Sequence, residues 1–496
     1  MMKNIDLKKW QGRTAYQLIP DRFYKGKGST EKIGGRILKN WDDRTPNWKP
    51  DKKGEYLNNF YYGGNIEGIK SKLNYLKKLG FDMIYITPIE QSSSYHHYDV
   101  GNHSQIDPWL GNWTDFKNLC KAAHELDILI MVDLVFNHTG IDSIYANDPK
   151  YHDWYKYDSN GDHVYWWGFK TLIECDTLNK SYQDAMTKIV EKYLENGADG
   201  IRLDLGENLS KEFLLSLQRV KEKYPNALFV GETWGFAIPD NQKDESKILD
   251  GELDSVMNYP MSDAILRWVR YGDYIHFKYN FDKVYNSYPS NVQNVLLNNI
   301  GTHDTPMTMT MLAGDKMNSD VFKGFIWDIE APWRSNNSFD TYGFRKFEAE
   351  NDKLDNEKYQ VGKKLTKISL AIMYNLPGIP CVFQGTEIAE TGYKDPFCRK
   401  PYNWKNNEED MKQFVSKLGE YRKNNREILS TGKVNLLKAD NQLLIFEREI
   451  ENGNKIIFVA NRTPDDVYVQ IDDDDLAENQ KNLWIGNYGF SIIMCK

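Results

Sequence analysis

Four apolar runs of this chain each stop in ionisable side chains. VDLVFNHTG (132–140) ends in an aspartate, Asn137 and His138; ADGIRLDLGEN (198–208) in Arg202 and Asp204; LFVGETWG (228–235) in Glu232; LLNNIGTHDTP (296–306) in His303 and Asp304. Polar residues at the C-terminal end of a buried parallel strand are what a β/α barrel uses to build an active-site rim. Any one run could merely cap a following helix, but four in succession deliver carboxylates to one rim. That set can cleave an acetal. One carboxylic acid protonates the leaving oxygen, and a second carboxylate, roughly 5–5.5 Å away, attacks the anomeric carbon when configuration is retained. Like charges held close and shielded from water drive at least one pKa upward. Glu232, flanked by Trp234 and Phe236, is the expected protonated acid. Arg202 lies two residues before Asp204, on the same face of its strand, and is expected to hold Asp204 ionised as the nucleophile. A lone Asp–Arg pair would equally be a salt bridge at the barrel mouth; three carboxylates with His138 and His303 are more than such a bridge needs. A binuclear metal centre draws on the same residue types, yet none of these four runs contains the HxH or HxxxD pair that such hydrolases use.

These side chains need a frame. β-branched apolar runs near 13–19, 81–87, 128–135, 199–204, 227–232, 255–259, 295–301 and 379–384 predict eight strands. Between them, segments 66–80, 114–127, 180–197, 210–224 and 363–378 carry apolar residues at three- and four-residue spacing, and three of them stop at glycine, as helices do. Strand–helix alternation of this kind predicts a parallel α/β fold, a (β/α)8 TIM barrel. Three stretches interrupt it: a Gly- and Lys-rich excursion at 21–65, an aromatic insert at 138–178 and a long insert at 305–359. Loops of that length in a compact domain are functional lids or small subdomains. The last insert holds Trp327, Trp333, Phe339, Tyr342 and Phe344, and is expected to fold over the cleft and shape its acceptor side. Beyond about residue 428, the short runs LLIFEREI, KIIFVANR, VYVQI and FSIIMC predict a small antiparallel β domain. The expected organisation is a catalytic barrel over 1–428, with a short inserted domain (138–178) after strand 3 and a loop insert (305–359), then a C-terminal β-sandwich over 429–496.

Composition narrows the partners. With 496 residues, a net charge of −8 and no basic block, the chain lacks the electrostatic footprint of a nucleic-acid binder. No apolar stretch approaches bilayer-spanning length and the N-terminus has no apolar signal-peptide core, so a membrane is not expected and a cytoplasmic location is. Five scattered cysteines form neither a disulfide framework nor a zinc spacing. Aromatic residues make up 14%, including 31 Tyr and 14 Trp, more than a core needs, and flat rings with polar edges are how proteins hold sugars.

In order and spacing the four strand-end segments resemble the signature regions of the α-amylase family, glycoside hydrolase family 13, with similarity over about residues 13–430. The resemblance implies a nucleophile at Asp204, an acid/base at Glu232 and a transition-state stabiliser at Asp304. It places sugar contacts at Tyr98 and His96, both in SYHHYD, and at His138, Arg202 and His303. YGGNIEGIKSKLNYLKKLGFDMIYITPI, LDSVMNYPMSDAI, CDTLN and GTEIAETGYKDPFCRKPYNW further resemble the neopullulanase, cyclomaltodextrinase and maltogenic amylase branch. The chain begins close to the first strand, without the N-terminal β domain of those enzymes, and its oligomeric state is left open. It also departs from the family. Leu205-Gly206-Glu207-Asn208 replaces the usual acceptor-side residues. Thr177 stands where relatives place a calcium-binding aspartate, which leaves Asn137 as the one candidate metal ligand. DSNGD (158–162) is expected to be a turn rather than a calcium loop. The implied chemistry needs no cofactor. The implied substrate is an α-glucan cut at α-1,4 links, and at α-1,6 links as in pullulan; transglycosylation on the same donor and non-catalytic sugar binding are the alternatives.

Overall fold

Eight short parallel strands carry the architecture: β1 (Ala15–Leu18), β2 (Met83–Ile86), β3 (Leu129–Leu134), β4 (Gly200–Leu203), β5 (Leu228–Gly231), β6 (Ser255–Val256), β7 (Leu297–Asn299) and β8 (Ile379–Phe383). The computed structural model describes residues 7–27, 35–54, 56–238, 248, 251–315, 326, 341–451, 453–471 and 481–495. The strands hydrogen-bond in the order β6-β5-β4-β3-β2-β1-β8-β7. A parallel bridge between Met257 and Leu297 brings the two edges together and closes the barrel. Every strand falls inside its expected window and is buried on both faces, which is why these segments are largely apolar.

Local chemistry fixes where the crossover helices start and stop. Asn112 and Asp115 form a reciprocal capping box at the head of helix Trp113–His124. Asn179, Ser210 and Asp355 each accept a backbone N–H at the start of helices Lys180–Glu195, Lys211–Gln218 and Asn356–Asn375. Each such cap contributes about 1 kcal/mol. Asp355 also explains why the last helix begins seven residues before the expected 363. After it, Gly378 takes a left-handed φ of +108°, where a side chain would meet the Leu296 carbonyl at 2.5 Å; only glycine lets the chain turn there into β8. The segment expected as one helix over 210–224 passes into a 3-10 turn at Arg219–Glu222.

The insert after β3 is a small β unit: His138–Gly140 pairs antiparallel with Leu172–Glu174, and 3-10 turns at Pro149–Trp154 and Trp166–Gly168 lie between. In the 305–359 insert the described residues include helices at Thr308–Ala313 and Thr341–Asn351 and the start of the helix Asn356–Asn375. Trp327, Trp333 and Phe339 lie outside the described residues; Tyr342 packs on Trp48 of the 21–65 excursion, with centroids 5.7 Å apart. Beyond the barrel, β9 (Lys433–Ala439), β10 (Leu443–Glu449), β11 (Lys455–Asn461) and β14 (Gly489–Cys495) form one antiparallel sheet, and β12 (Val467–Gln470) pairs with β13 (Asn482–Ile485). Ile445, Ile457, Val459, Val469, Ile485 and Ile493 pack between these two layers. Trp10 plugs the opposite end from the rim: its indole donates to the Asn226 carbonyl ahead of β5. Among the described residues no helix is long and apolar enough to cross a membrane.

Candidate active site

The centre of the rim is Arg202, near the end of β4 and wholly buried. Register places it directly beside Asp133 of β3. Its Nη1 donates to Asp133 Oδ1 and Oδ2 at 2.8 and 2.9 Å and to Asp204 Oδ1 at 2.9 Å, while Nη2 lies 2.9 Å from Glu232 Oε2. One planar cation thus reaches three carboxylates, which a point-charge lysine could not do. The sheet ladder runs one step past β4 and β5 to set the pair: the Asp204 amide donates to the Leu134 carbonyl, and the Glu232 amide to the Leu203 carbonyl. Asp204 and Glu232 therefore sit side by side at adjacent strand ends, both buried.

Glu232 is held by two further donors. Leu205, at a left-handed φ of +48°, aims its amide at Oε2 (2.8 Å), and the Trp234 indole donates to Oε1 (3.1 Å). Gly206 permits that turn, because an added Cβ would meet the Gly231 Cα at 2.8 Å. Trp234 is itself stacked flat on Tyr259, with centroids 4.1 Å apart at 8°. Glu207, one of the departures from the family pattern, accepts the Trp234 amide. Phe236 packs edge-on against Tyr279, so only the indole of the two expected flanking rings touches the carboxyl.

Burial, then Asp204's proximity to the Glu232 charge, pushes the Asp204 carboxyl well above the ordinary carboxylate range despite Arg202. Glu232 is raised as well, by burial first, against the pull of Arg202 and with the Asp304 charge adding to the rise. The expectation that Arg202 keeps Asp204 in its ordinary ionised range therefore differs from the structure. The guanidinium is shared with Asp133 and Glu232, so Asp204 receives one hydrogen bond where Glu232 receives two and an ion pair. Both carboxyls are therefore raised, and they titrate as an interacting pair rather than singly.

Asp304 completes the rim from the loop after β7. Burial would raise it, but the His303 ring, with Arg399 and Arg202 behind it, holds the carboxyl below the ordinary range. His303 Nε2 lies 3.0 Å from Asp304 Oδ2, and Arg399 donates from Nη2 to Oδ1 at 2.9 Å and from Nε to the His303 carbonyl at 2.7 Å. Gln17 of β1 donates to His303 Nδ1 at 2.8 Å, which leaves the proton of a neutral ring on Nε2, facing Asp304. Tyr98 stacks on His303 with centroids 5.1 Å apart at 2°, and its hydroxyl meets His303 Nε2 at 2.5 Å and donates to Asp133 at 2.8 Å. His138 donates from Nε2 to the Tyr98 carbonyl (3.2 Å), and burial lowers its pKa to about 4. His96 accepts the Tyr98 amide at Nδ1 (3.1 Å); burial, then the Arg399 charge, lowers it to about 3.

All eight expected catalytic and sugar-contacting residues thus belong to one connected network. Three further members have no role that the sequence assigns. The strand-end aspartate Asp133 accepts the Tyr85 hydroxyl at Oδ2 (2.7 Å), and both lie inside strands, where their partners depend on register. Arg399 comes from the loop after β8, remote in sequence from its partner Asp304. Asn137 stands apart from any ligand set. Its amide nitrogen faces His138, the Thr177 hydroxyl accepts the Ser210 amide, and among the described residues no three His, Cys, Asp or Glu side chains come together as a metal site. Asp158 accepts the amides of Asn160 and Asp162, the hydrogen bonding of a turn.

A closed parallel barrel that gathers buried polar side chains at the C-terminal ends of its strands is the architecture of a β/α-barrel enzyme. The chain belongs to the α-amylase family of glycoside hydrolases, since residues 17–330 match the model of the alpha amylase catalytic domain. It is 28% identical to an amylopullulanase of Thermoanaerobacter thermohydrosulfuricus across 91% of this chain and 32% of that protein. It is equally 28% identical to a cyclomaltodextrinase of Geobacillus thermopakistaniensis across 90% of this chain and 68% of the relative. The chain spans about a third of the length of the amylopullulanases it matches. The type III pullulan hydrolase of Thermococcus kodakarensis shares the fold, with a TM-score of 0.78 at 24% identity over all of this chain and 84% of that structure.

Proposed function

We propose that the chain is a retaining α-glucoside hydrolase that cuts α-1,4 links in maltodextrins and starch, and α-1,6 links of the pullulan type. Relatives named cyclomaltodextrinase and amylopullulanase support the substrate class. The observation that carries the mechanism is the shared guanidinium: Asp204 and Glu232 occupy neighbouring strand ends, each 2.9 Å from a different nitrogen of Arg202.

With substrate bound, the glycosidic oxygen accepts the proton of the pair from Glu232, and the C–O bond breaks as Asp204 bonds to the anomeric carbon. Glu232, now ionised, removes a proton from the incoming water, which displaces Asp204 and restores the α configuration. Asp304, held ionised, faces the developing oxocarbenium charge, and preformed charge of this kind stabilises a transition state without reorganisation. Tyr98, His138 and His303 line the ring that reacts.

Asp204→Asn keeps the shape and removes the nucleophile. Its turnover of maltoheptaose should fall by at least about 10³-fold while binding is kept. Proton NMR of the first product formed by the native protein should show the α anomer. A near-native Asp204→Asn rate, or a β anomer formed first, would overturn the assignment. Profiles on maltoheptaose, pullulan and cyclodextrins then rank the linkages.

A further inference from the structure

The insert after β3 carries a file of rings that starts at the rim and ends in solvent. His138, in contact with the Tyr98 carbonyl, stacks on Trp166 with centroids 5.0 Å apart at 19°. Trp166 stacks in turn on Trp167, 5.0 Å away at 13°, and Phe169 lies 6.0 Å from Trp166 at 32°. Trp167 is 48% exposed and Phe169 47%. Large rings left half in water beside a polar cleft mark a binding surface.

The backbone is shaped to present them. Trp167 has φ +50° and ψ +22°, and Gly168 follows at φ +77°. A bulky residue in the left-handed region is a strained choice, and strain of this sort concentrates at ligand sites. The turn is nonetheless rigid. Amides of Gly168, Phe169 and Leu172 donate to the carbonyls of Tyr165, Trp166 and Phe169 at 3.0, 3.0 and 2.9 Å, and Tyr165 bridges to Ile173 of the hairpin. The backbone that carries the rings is set before anything binds, which lowers the ordering cost.

We propose that Trp167 and Phe169, reached from the rim through His138 and Trp166, bind glucose units remote from the cleaved linkage and so give the protein a preference for long α-glucans over short ones. This rests on the α-glucan reading of the site. Stacking on His138 and Trp167 occupies Trp166, whereas the outward faces of Trp167 and Phe169 suit the flat C–H faces of sugars, which ask for no particular hydroxyl pattern. A protein partner fits poorly: two half-exposed rings offer about 200 Å², against about 800 Å² per partner in a stable interface.

The test compares kcat/KM on maltotriose and maltoheptaose for the native protein, Trp167→Ala and Trp167→Phe. The ratio of heptaose to triose should fall at least about fivefold in Trp167→Ala and be largely restored in Trp167→Phe, which a mere folding defect would not produce. A Trp167→Ala ratio within about twofold of native overturns the proposal. If the native protein cleaves neither sugar, the α-glucan hydrolase reading is what fails. Calorimetric titration with maltoheptaose then decides the platform separately: weaker binding by Trp167→Ala supports it, whereas equal affinity, or no binding by the native protein, refutes it.

Discussion

Arg202 at the rim and Arg448 beneath the barrel are both arginines with no exposed surface, yet they sit in opposite electrical settings. Around Arg202 stand Asp133, Asp204 and Glu232. Burial opposes its charge, but those carboxylates more than compensate and the guanidinium is held firmly cationic. Arg448 of β10 meets only carbonyls: Nη1 donates to Asn375 and Leu429 at 2.8 and 3.0 Å, Nη2 to Gly432 at 2.7 Å. Burial, and then the neighbouring Arg422, lowers Arg448 to about 9; Arg422, lowered by burial to about 10, caps the Tyr374 and Gly378 carbonyls. Tyr374 and Asn375 end the helix Asn356–Asn375, where unpaired carbonyls concentrate partial negative charge. One arginine organises full charges that react. Arg448 staples the C-terminal sheet to the barrel, and Arg422 the helix Glu409–Asn424, through dipoles that do not.

Removing the side chain should expose this difference. Arg202→Met leaves three buried carboxyls without their common counter-ion, and we expect kcat/KM on maltoheptaose to drop by at least about 10³-fold, together with a loss of stability of about 3–5 kcal/mol. Arg202→Lys keeps the charge but cannot span Asp133, Asp204 and Glu232 at once, so it should recover stability more than rate. Activity within about tenfold of native in Arg202→Met would mean that the guanidinium does not organise the rim.

Arg448→Met should do the reverse. It removes a costly buried cation but orphans the Asn375, Leu429 and Gly432 carbonyls, and we expect denaturant titration to show a loss of about 2–4 kcal/mol with kcat unchanged. A matching fall in kcat would show that the lower staple and the rim are coupled, and the contrast drawn above would fail.

The two arginines also mark where sequence stops being informative. Arg202 is legible because LDL follows it and a carboxylate ends the same strand, a pattern repeated at β3, β5 and β7; the eight strands themselves are legible because parallel strands buried on both faces are largely apolar. Asp133 was visible as a strand-end residue, but its partnership with Arg202 depends on β3–β4 register, which no periodicity encodes. Arg399 reaches Asp304 only because β8 closes the barrel beside β7. Arg448 lies in FEREI between two glutamates and reads as a solvated strand; nothing in its neighbours shows that two helix ends lie beneath it. The helix that begins at Asn356 was foreshortened for a related reason, since its first turns are polar and only the Asp355 cap marks their start.

The finest contrast lies within the rim, between the two members of the pair. Trp234→Phe deletes one donor from Glu232 and leaves Asp204's single bond to Arg202 untouched. Because both carboxyls are raised, loss of the pair's remaining proton sets the alkaline limb of kcat/KM, and this limb should lie above the ordinary carboxylate range. An N–H donor favours the charged form, so its removal makes the fully ionised pair harder to reach and moves the limb upward, by about half a pH unit. A downward shift would place the titrating proton outside the influence of Glu232. The direction of movement therefore reports which carboxyl the indole serves, even though the change in rate at the optimum is expected to be small.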